Sequence, residues 1–151
     1  MKMETKLALL KAAEGVTPAQ FAALCTRHKA GRIEVLLITS RDTRRWVLPK
    51  GWPMPGRSGA ETAVMEAWEE AGVVGAITGP AVGSYIYNKV LAPGRALPCR
   101  VEVHPMKVER LAQHFPEKGQ RQRKWMTAKK AAKAVAEPEL AALLRGLRNH
   151  S

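Results

Sequence analysis

Three glutamates, Glu66, Glu69 and Glu70, are the residues whose type and spacing best suit chemistry. Spacings of three and four residues place their side chains on one face of a predicted helix, within a turn of one another. Carboxylates this close repel one another and raise one another's pKa unless a cation lies among them. Mg²⁺ takes one or two carboxylates, keeps several waters and completes its octahedron with phosphate oxygens of a substrate. The three glutamates therefore predict a site for a metal-bound phosphate chain.

The glutamates belong to a strand, loop and helix unit that covers residues 46–73. A short apolar strand, WVLP, precedes a loop at residues 50–58 that is rich in glycine and proline, residues typical of turns. Ser58 and Glu61 have the spacing of a capping box, which predicts that the helix begins there. Gly72 is a typical residue after a helix C-terminus. The rigid loop and the helix together would position the carboxylates.

This unit resembles the Nudix box, in which glycine, five residues, glutamate and seven residues precede the pattern R-E-U-x-E-E-x-G-U, with U apolar. The matching residues at the required spacings are Gly51, Glu66, Ala67, Glu69, Glu70, Gly72 and Val73. In the family, Glu66 and Glu70 match the principal metal ligands, Glu69 the third carboxylate, and the backbone carbonyl of Gly51 a further ligand. The implied ion is Mg²⁺, with Mn²⁺ as the alternative.

Two carboxylates are candidates for the general base that takes a proton from the attacking water. We favour Glu69, which lies among the ligands that the resemblance implies. Glu117, in the segment PEKG, is an alternative as a base or an outer metal ligand. It could equally be an ordinary exposed loop acid.

Two positions depart from the box: Arg57 replaces the first glutamate, and Met65 replaces the arginine. An arginine at position 65 would lie one turn from both Glu61 and Glu69 and would bridge them. Methionine cannot, so we expect the catalytic acids to be less firmly held and turnover to be lower. Arg57 adds a cation at the mouth of the loop, which would favour a more anionic substrate.

The resemblance extends over residues 20–147 to the diphosphoinositol-polyphosphate phosphohydrolase-like branch of Nudix hydrolases, through RRWVLPKGW and FPEKGQRQRKWMTAKKA. It implies an α/β (α+β) Nudix fold, in which a mixed β-sheet is sandwiched between α-helices. It also implies Mg²⁺-dependent hydrolysis of a phosphoanhydride in diphosphoinositol polyphosphates or diadenosine polyphosphates.

The formal net charge of +12 indicates an anionic partner, with simple solubility as the alternative. Candidate cations for substrate phosphates are Lys50, Arg44, Arg45, Arg121 and Arg123. On a final strand, Arg121 and Arg123 would point to one face and match phosphate oxygens, unless that strand is a solvated edge. Lys50 follows a proline, so we expect its amine to point out of the loop mouth.

The chain of 151 residues is the size of one domain, which we assign to residues 18–148, after an arm of uncertain structure at 1–17. Two apolar runs, 20–28 and 33–40, predict a hairpin whose second strand is central. The remaining predicted elements are strand-like runs at 76–90 and 100–108 joined by a loop at 91–98, a basic strand at 119–127, and helices at 128–136 and 138–147.

No apolar run reaches the length of a membrane span, and no signal sequence is recognisable, so we expect no membrane association. Cys25 and Cys99 are the two cysteines, and a reduced, cytoplasmic protein is the expectation, although the two could form a bridge. The sequence specifies no oligomeric state.

Three functions fit these observations. The first is a Nudix hydrolase of a small, highly anionic polyphosphate. The second is an RNA 5′-end pyrophosphohydrolase, which the basic charge favours but an aromatic content of 5% does not, because bases stack on aromatic rings. The third is a catalytically weak scaffold that binds nucleotides or RNA, which the departures at Arg57 and Met65 favour and the intact glutamates disfavour.

Overall fold

The computed structural model describes residues 2–147, and within them the chain forms four α-helices and eight β-strands. In chain order they are α1 (Met3–Ala13), β1 (Ala19–Lys29), β2 (Arg32–Thr39), β3 (Trp46–Val47), β4 (Lys50–Gly51), α2 (Gly59–Ala71), β5 (Val73–Ile77), β6 (Gly83–Ala92), β7 (Arg95–Leu111), β8 (Arg123–Thr127), α3 (Ala128–Ala134) and α4 (Pro138–Arg145). The outer limits of the predicted arm and domain, residues 1 and 148, lie outside the described residues.

The strands form one mixed sheet in the order β3-β2-β1-β7-β5, with β4 on β1, β6 on β7 and β8 on β2. Strands β1 and β2 form the predicted antiparallel hairpin, and Ala30 and Gly31 turn the chain with φ of 53° and 75°. Strand β2 is central, as predicted, because it pairs with β1, β3 and β8. Strands β1 and β7 pair in parallel.

Helices cover the sheet. Successive residues are buried along β1 and β2, which means that both faces of these strands are covered, since neighbouring side chains in a strand point to opposite faces. Helix α2 packs against β1, β5 and β7, whereas α3 contacts β2 and α4 contacts β6. The small side chains of Ala63, Ala67 and Ala71 are fully buried, so α2 lies close to the sheet.

Helix α2 begins and ends as the sequence predicts. The backbone N–H of Glu61 donates to the Ser58 hydroxyl (3.1 Å), and the Ser58 N–H donates to the Glu61 carboxylate (2.8 Å). This reciprocal pair is the capping box. After Ala71 the chain turns at Gly72, whose φ of 66° is left-handed and favours glycine.

Several predicted boundaries are wrong. The run at 76–90 is divided into β5 and β6 by a turn that contains Gly79 and Pro80, and residues 91–98 form the tight β6–β7 hairpin instead of a loop. The final strand begins at Arg123, so Arg121 precedes it and shares no strand face with Arg123. Lys50, assigned to a loop, pairs with Ala22 of β1.

Cys25 and Cys99 are both buried free thiols, so the bridge that the sequence left open is absent from the described part of the chain. Among the helices at residues 2–147, none is long and apolar enough to cross a membrane.

Ser58→Ala should lower the free energy of unfolding by about 1 kcal/mol, because it removes the hydroxyl that accepts the Glu61 N–H at the start of α2. Chemical denaturation of the parent and the variant measures the difference. Arg57→Ala, at the neighbouring exposed position, is the control and should leave stability unchanged. Equal stabilities for all three proteins would contradict the assigned cap.

Candidate active site

A cavity of about 790 Å³ lies beside the carboxylate-bearing face of α2. It is lined by six charged residues that the sequence analysis singled out: Lys50, Glu66, Glu69, Glu70, Glu117 and Arg121. We call the four acids the carboxylate cluster. Three of its members come from one helix face, as predicted, and the fourth comes from a segment distant in sequence.

The contact between Glu66 and Gly51 fixes the geometry of the cluster. Glu66 is 8% exposed, and a Cβ added to Gly51 would lie 1.4 Å from its Oε2 atom. Only glycine therefore leaves room for this carboxylate beside the strand backbone. Because Gly51 also pairs with Phe21 of β1, the contact joins the helix directly to the sheet.

The carboxylate cluster holds more negative charge than its surroundings balance. Burial, followed by the charges of Glu70, Glu69 and Glu117, raises the pKa of Glu66 to about 8. Burial also raises the pKa of Glu70, although Arg121 and the N–H of Lys50 act in the opposite direction. Both shifts are those expected of like charges held close together away from water, a situation that a bound cation relieves.

Arg121 forms ion pairs with two members of the carboxylate cluster. Its side chain is 9% exposed, and its Nη2 atom lies 3.1 Å from a carboxylate oxygen of Glu70 and 3.1 Å from one of Glu117. The Glu117 N–H donates to the carbonyl of Glu69 (2.9 Å), so this segment is bound to α2. Glu117 is only 22% exposed, and its interpretation as an exposed loop acid is wrong. Its role as a ligand or base stays a prediction.

Lys50 reaches the same cavity from β4. Its N–H donates to Glu70 (3.0 Å), and its amine lies 3.6 Å from the centre of the Tyr87 ring. The expectation that this amine points out of the loop mouth is wrong, because the aromatic ring attracts the cation. Burial lowers the pKa of Lys50 to about 8, with Glu70 acting in the opposite direction.

The other three candidate phosphate ligands do not line this cavity. Arg45 forms an ion pair with Glu137 (3.0 Å), and Arg44 is exposed with φ of 58°. Arg123 donates to the carbonyls of Ala71 (2.7 Å) and Ala112 (2.8 Å), where it satisfies the C-terminus of α2. Arg45 and Arg123 are thus bound to protein groups.

Some cavity residues carried no signal in the sequence analysis, notably Lys2, Leu7, Lys11, Trp52, Tyr87 and Lys89. Tyr87 lies in a run that was predicted only as a strand. The residues of α1 lie in the arm to which no structure was assigned. The WPMP segment after Gly51 was the one available clue to Trp52, because a tryptophan in a stiff loop is well placed to contact a ligand.

The donor set fits a divalent ion. Across residues 2–147, no group of three His, Cys, Asp or Glu side chains is arranged to hold an ion by itself. Mg²⁺ needs only one or two carboxylates, since waters and substrate phosphates complete its shell. The raised pKa of Glu66 and the cradle that Gly51 leaves for its carboxylate both suit such an ion.

The NUDIX domain family model matches residues 16–147, and the chain therefore belongs to the Nudix family. A relative, Nudix hydrolase 12, mitochondrial, from Arabidopsis thaliana, is 29% identical over 103 residues. The aligned region is 66% of this chain and 51% of that protein, so the chain spans about half the length of the curated relative it matches.

Two solved structures are similar in fold. The C. elegans Ap4A hydrolase has a TM-score of 0.64 at 23% identity, over 86% of this chain and 95% of that one. A NUDIX hydrolase from Nitrosomonas europaea has a TM-score of 0.66 at 13% identity, over 85% and 86%. The predicted Nudix fold, a mixed sheet between helices, is confirmed. The relative and the two structures named here are called hydrolases.

Glu66→Gln should flatten the pH dependence of stability in the metal-free protein. The pKa of Glu66 rises from an ordinary 4.5 to about 8, so between these values the folded chain keeps a proton that the unfolded chain releases. This contribution to stability is complete below pH 4.5 and is lost as the pH rises through about 8. Glutamine does not titrate, so the variant should lose less stability over that range.

Thermal melts in a metal chelator across this pH range measure the effect. Glu109→Gln, at an exposed position on β7, is the control and should follow the parent. Parallel curves for the parent and Glu66→Gln would show that the carboxyl of Glu66 is not perturbed as described.

Proposed function

We propose that this protein is a Mg²⁺-dependent pyrophosphohydrolase that cleaves a phosphoanhydride bond in a small, highly anionic polyphosphate. The observation that supports it most is the carboxylate cluster beside Gly51, in a cavity that also presents Lys50 and Arg121. Acids for a metal and cations for phosphate oxygens are the two requirements of phosphoanhydride hydrolysis.

Glu66, Glu70 and the carbonyl of Gly51 would hold Mg²⁺, or Mn²⁺ in its place, and a bound ion supplies neutralisation of phosphate charge. Glu69, the third acid on the same helix face, orients a water and accepts its proton. A bond forms between the water oxygen and phosphorus while the bridging P–O bond breaks. The leaving phosphate takes that electron pair.

Arg121 and Lys50 bind the phosphate oxygens in this mechanism. Arg121 donates from Nε to Glu117 (3.1 Å), from Nη1 to the carbonyl of Thr39 (3.3 Å) and from Nη2 to Glu70 (3.1 Å). A guanidinium has five N–H groups, and those not used in these contacts would bind phosphate oxygens. The Lys50 amine lies against Tyr87 at the edge of the same cavity. The side chain of Arg121 is 9% exposed and Lys50 is half-buried, so water screens their attraction for phosphate less than at an exposed position.

We infer that the substrate is a dinucleoside polyphosphate or a diphosphoinositol polyphosphate. The similar structure from C. elegans is called an Ap4A hydrolase, which supports the first. The segments RRWVLPKGW and FPEKGQRQRKWMTAKKA, which resemble the diphosphoinositol-polyphosphate phosphohydrolase-like branch, support the second. The net charge of +12 suits either, and it also keeps an RNA 5′ end as a second candidate substrate.

Glu70→Gln should reduce hydrolysis at least about a hundredfold, because it removes a charged ligand while glutamine keeps an oxygen that can accept the Lys50 N–H. The assay measures phosphate or nucleotide release with Mg²⁺ from diadenosine tetraphosphate, a diphosphoinositol polyphosphate and 5′-triphosphate RNA. Glu109→Gln is the matched control and should retain full activity. Equal rates for the parent and Glu70→Gln would contradict the proposal.

Met65→Arg should raise turnover. Met65 is half-buried on α2 between Glu61 and Glu69, and an arginine there would hold Glu69 in place. The Glu61 carboxylate already accepts the Ser58 N–H, so the new arginine would pair more readily with Glu69 than with Glu61. Steady-state kinetics of the parent, Met65→Arg and the apolar control Met65→Leu measure the effect. No gain over Met65→Leu would mean that an arginine at this position does not order the site.

A further inference from the structure

Helix α1 forms one wall of the active-site cavity, although it lies before residue 16, where the match to the family begins. Its cavity-lining residues, with the one that precedes it, are Lys2, Met3, Glu4, Thr5, Leu7, Ala8 and Lys11. These residues lie outside the region that the family model matches, so this wall is an addition to the family domain.

A small apolar cluster, separate from the main core, holds α1 in place. Ala8 is 4% exposed and packs with Leu97 and Cys99 of the β6–β7 hairpin. Leu9 and Trp52 pack against the same cluster. Trp52 also lines the cavity, so the loop after Gly51 and helix α1 meet there.

This wall differs in chemistry from the carboxylate cluster. Leu7 is 52% exposed and lines the cavity. Trp52, Pro53 and Met54 of the adjoining loop do so as well. Such a surface suits a flat, apolar group, because aromatic rings stack on indole and thioether groups contact ring edges. Lys2, Glu4 and Lys11 also line the cavity from this side, so the apolar surface is confined to the residues around Leu7 and Trp52.

We propose that Leu7 and Trp52 form a subsite for the base of a nucleoside polyphosphate whose phosphates extend to the carboxylate cluster. The inference rests on the proposed function and selects among its substrates, since it favours dinucleoside polyphosphates over diphosphoinositol polyphosphates. A cavity of about 790 Å³ is within the range that encloses a ligand of nucleotide size.

The chain offers a matched pair of positions for the test. Leu7 and Leu10 are both exposed on α1, at 52% and 60%, but only Leu7 is among the residues that line the cavity. Leu7→Gln and Leu10→Gln leave the charge unchanged and alter helix propensity little. A difference in nucleotide binding between the two variants is therefore due to the position of Leu7 in the cavity. Trp52→Leu removes the indole ring while it keeps an apolar side chain at the cluster of Ala8, Leu97 and Cys99.

Calorimetry on the 151-residue chain with Mg²⁺ compares two probes without a phosphoanhydride bond. They are adenosine 5′-(α,β-methylene)diphosphate and methylenediphosphonate, which has the same P–C–P group but lacks the nucleoside. Leu7→Gln and Trp52→Leu should weaken binding of the first about tenfold, the usual size of one apolar contact in a pocket, and leave binding of the second unchanged. Leu10→Gln should match the parent with both. Thermal melts of each variant show whether it is folded, and Leu7→Gln carries the test if Trp52→Leu is not.

Equal nucleotide binding by Leu7→Gln and Leu10→Gln, equal weakening of both probes, or no nucleotide binding by the parent would overturn the subsite. Hydrolysis of diadenosine tetraphosphate is measured in parallel to separate the two proposals. Selective loss of nucleotide binding without any hydrolysis by the parent would support the subsite and contradict the reaction. Normal hydrolysis by the parent, with equal nucleotide binding by Leu7→Gln and Leu10→Gln, would support the reaction and contradict the subsite.

Discussion

The close approach of the Glu66 carboxylate to the backbone of Gly51 is the contact on which the active site depends. It requires glycine on the strand and a helix that lies near the sheet. The second condition is met by Ala63, Ala67 and Ala71, which are fully buried on the sheet-facing side of α2. A larger residue at any of these alanines would separate helix and sheet, and the carboxylate would no longer reach the strand.

The carboxylate cluster is held at an electrostatic cost. Burial raises the pKa of Glu66 to about 8, which means that the folded chain disfavours the charged form that a metal ion needs. Arg121 offsets part of this repulsion by its contacts with Glu70 and Glu117. The same arginine binds the segment around Glu117 to the end of α2. Arg121 therefore both balances part of the negative charge and holds that segment in position.

The basic residues illustrate why charge alone is a weak guide to a site. Arg123 binds the carbonyl of Ala71 at the end of α2 and that of Ala112 after β7, and Arg45 binds Glu137. Lys50 and Arg121, which have the same formal charge, line the cavity. The difference lies in which backbone and carboxylate groups surround each side chain after folding, and sequence spacing does not specify that.

The sequence by itself determined the local features: the capped helix α2, its acidic face, the β1–β2 hairpin and the spacing between Gly51 and Glu66. These follow from helix periodicity and turn chemistry, which act over a few residues. Tertiary structure decided the rest. In the folded protein Glu117 and Arg121 lie beside α2, the Lys50 amine lies against the Tyr87 ring, and α1 lines the cavity. Those contacts join segments far apart in the chain, and they arise from burial and charge pairing that no local pattern encodes.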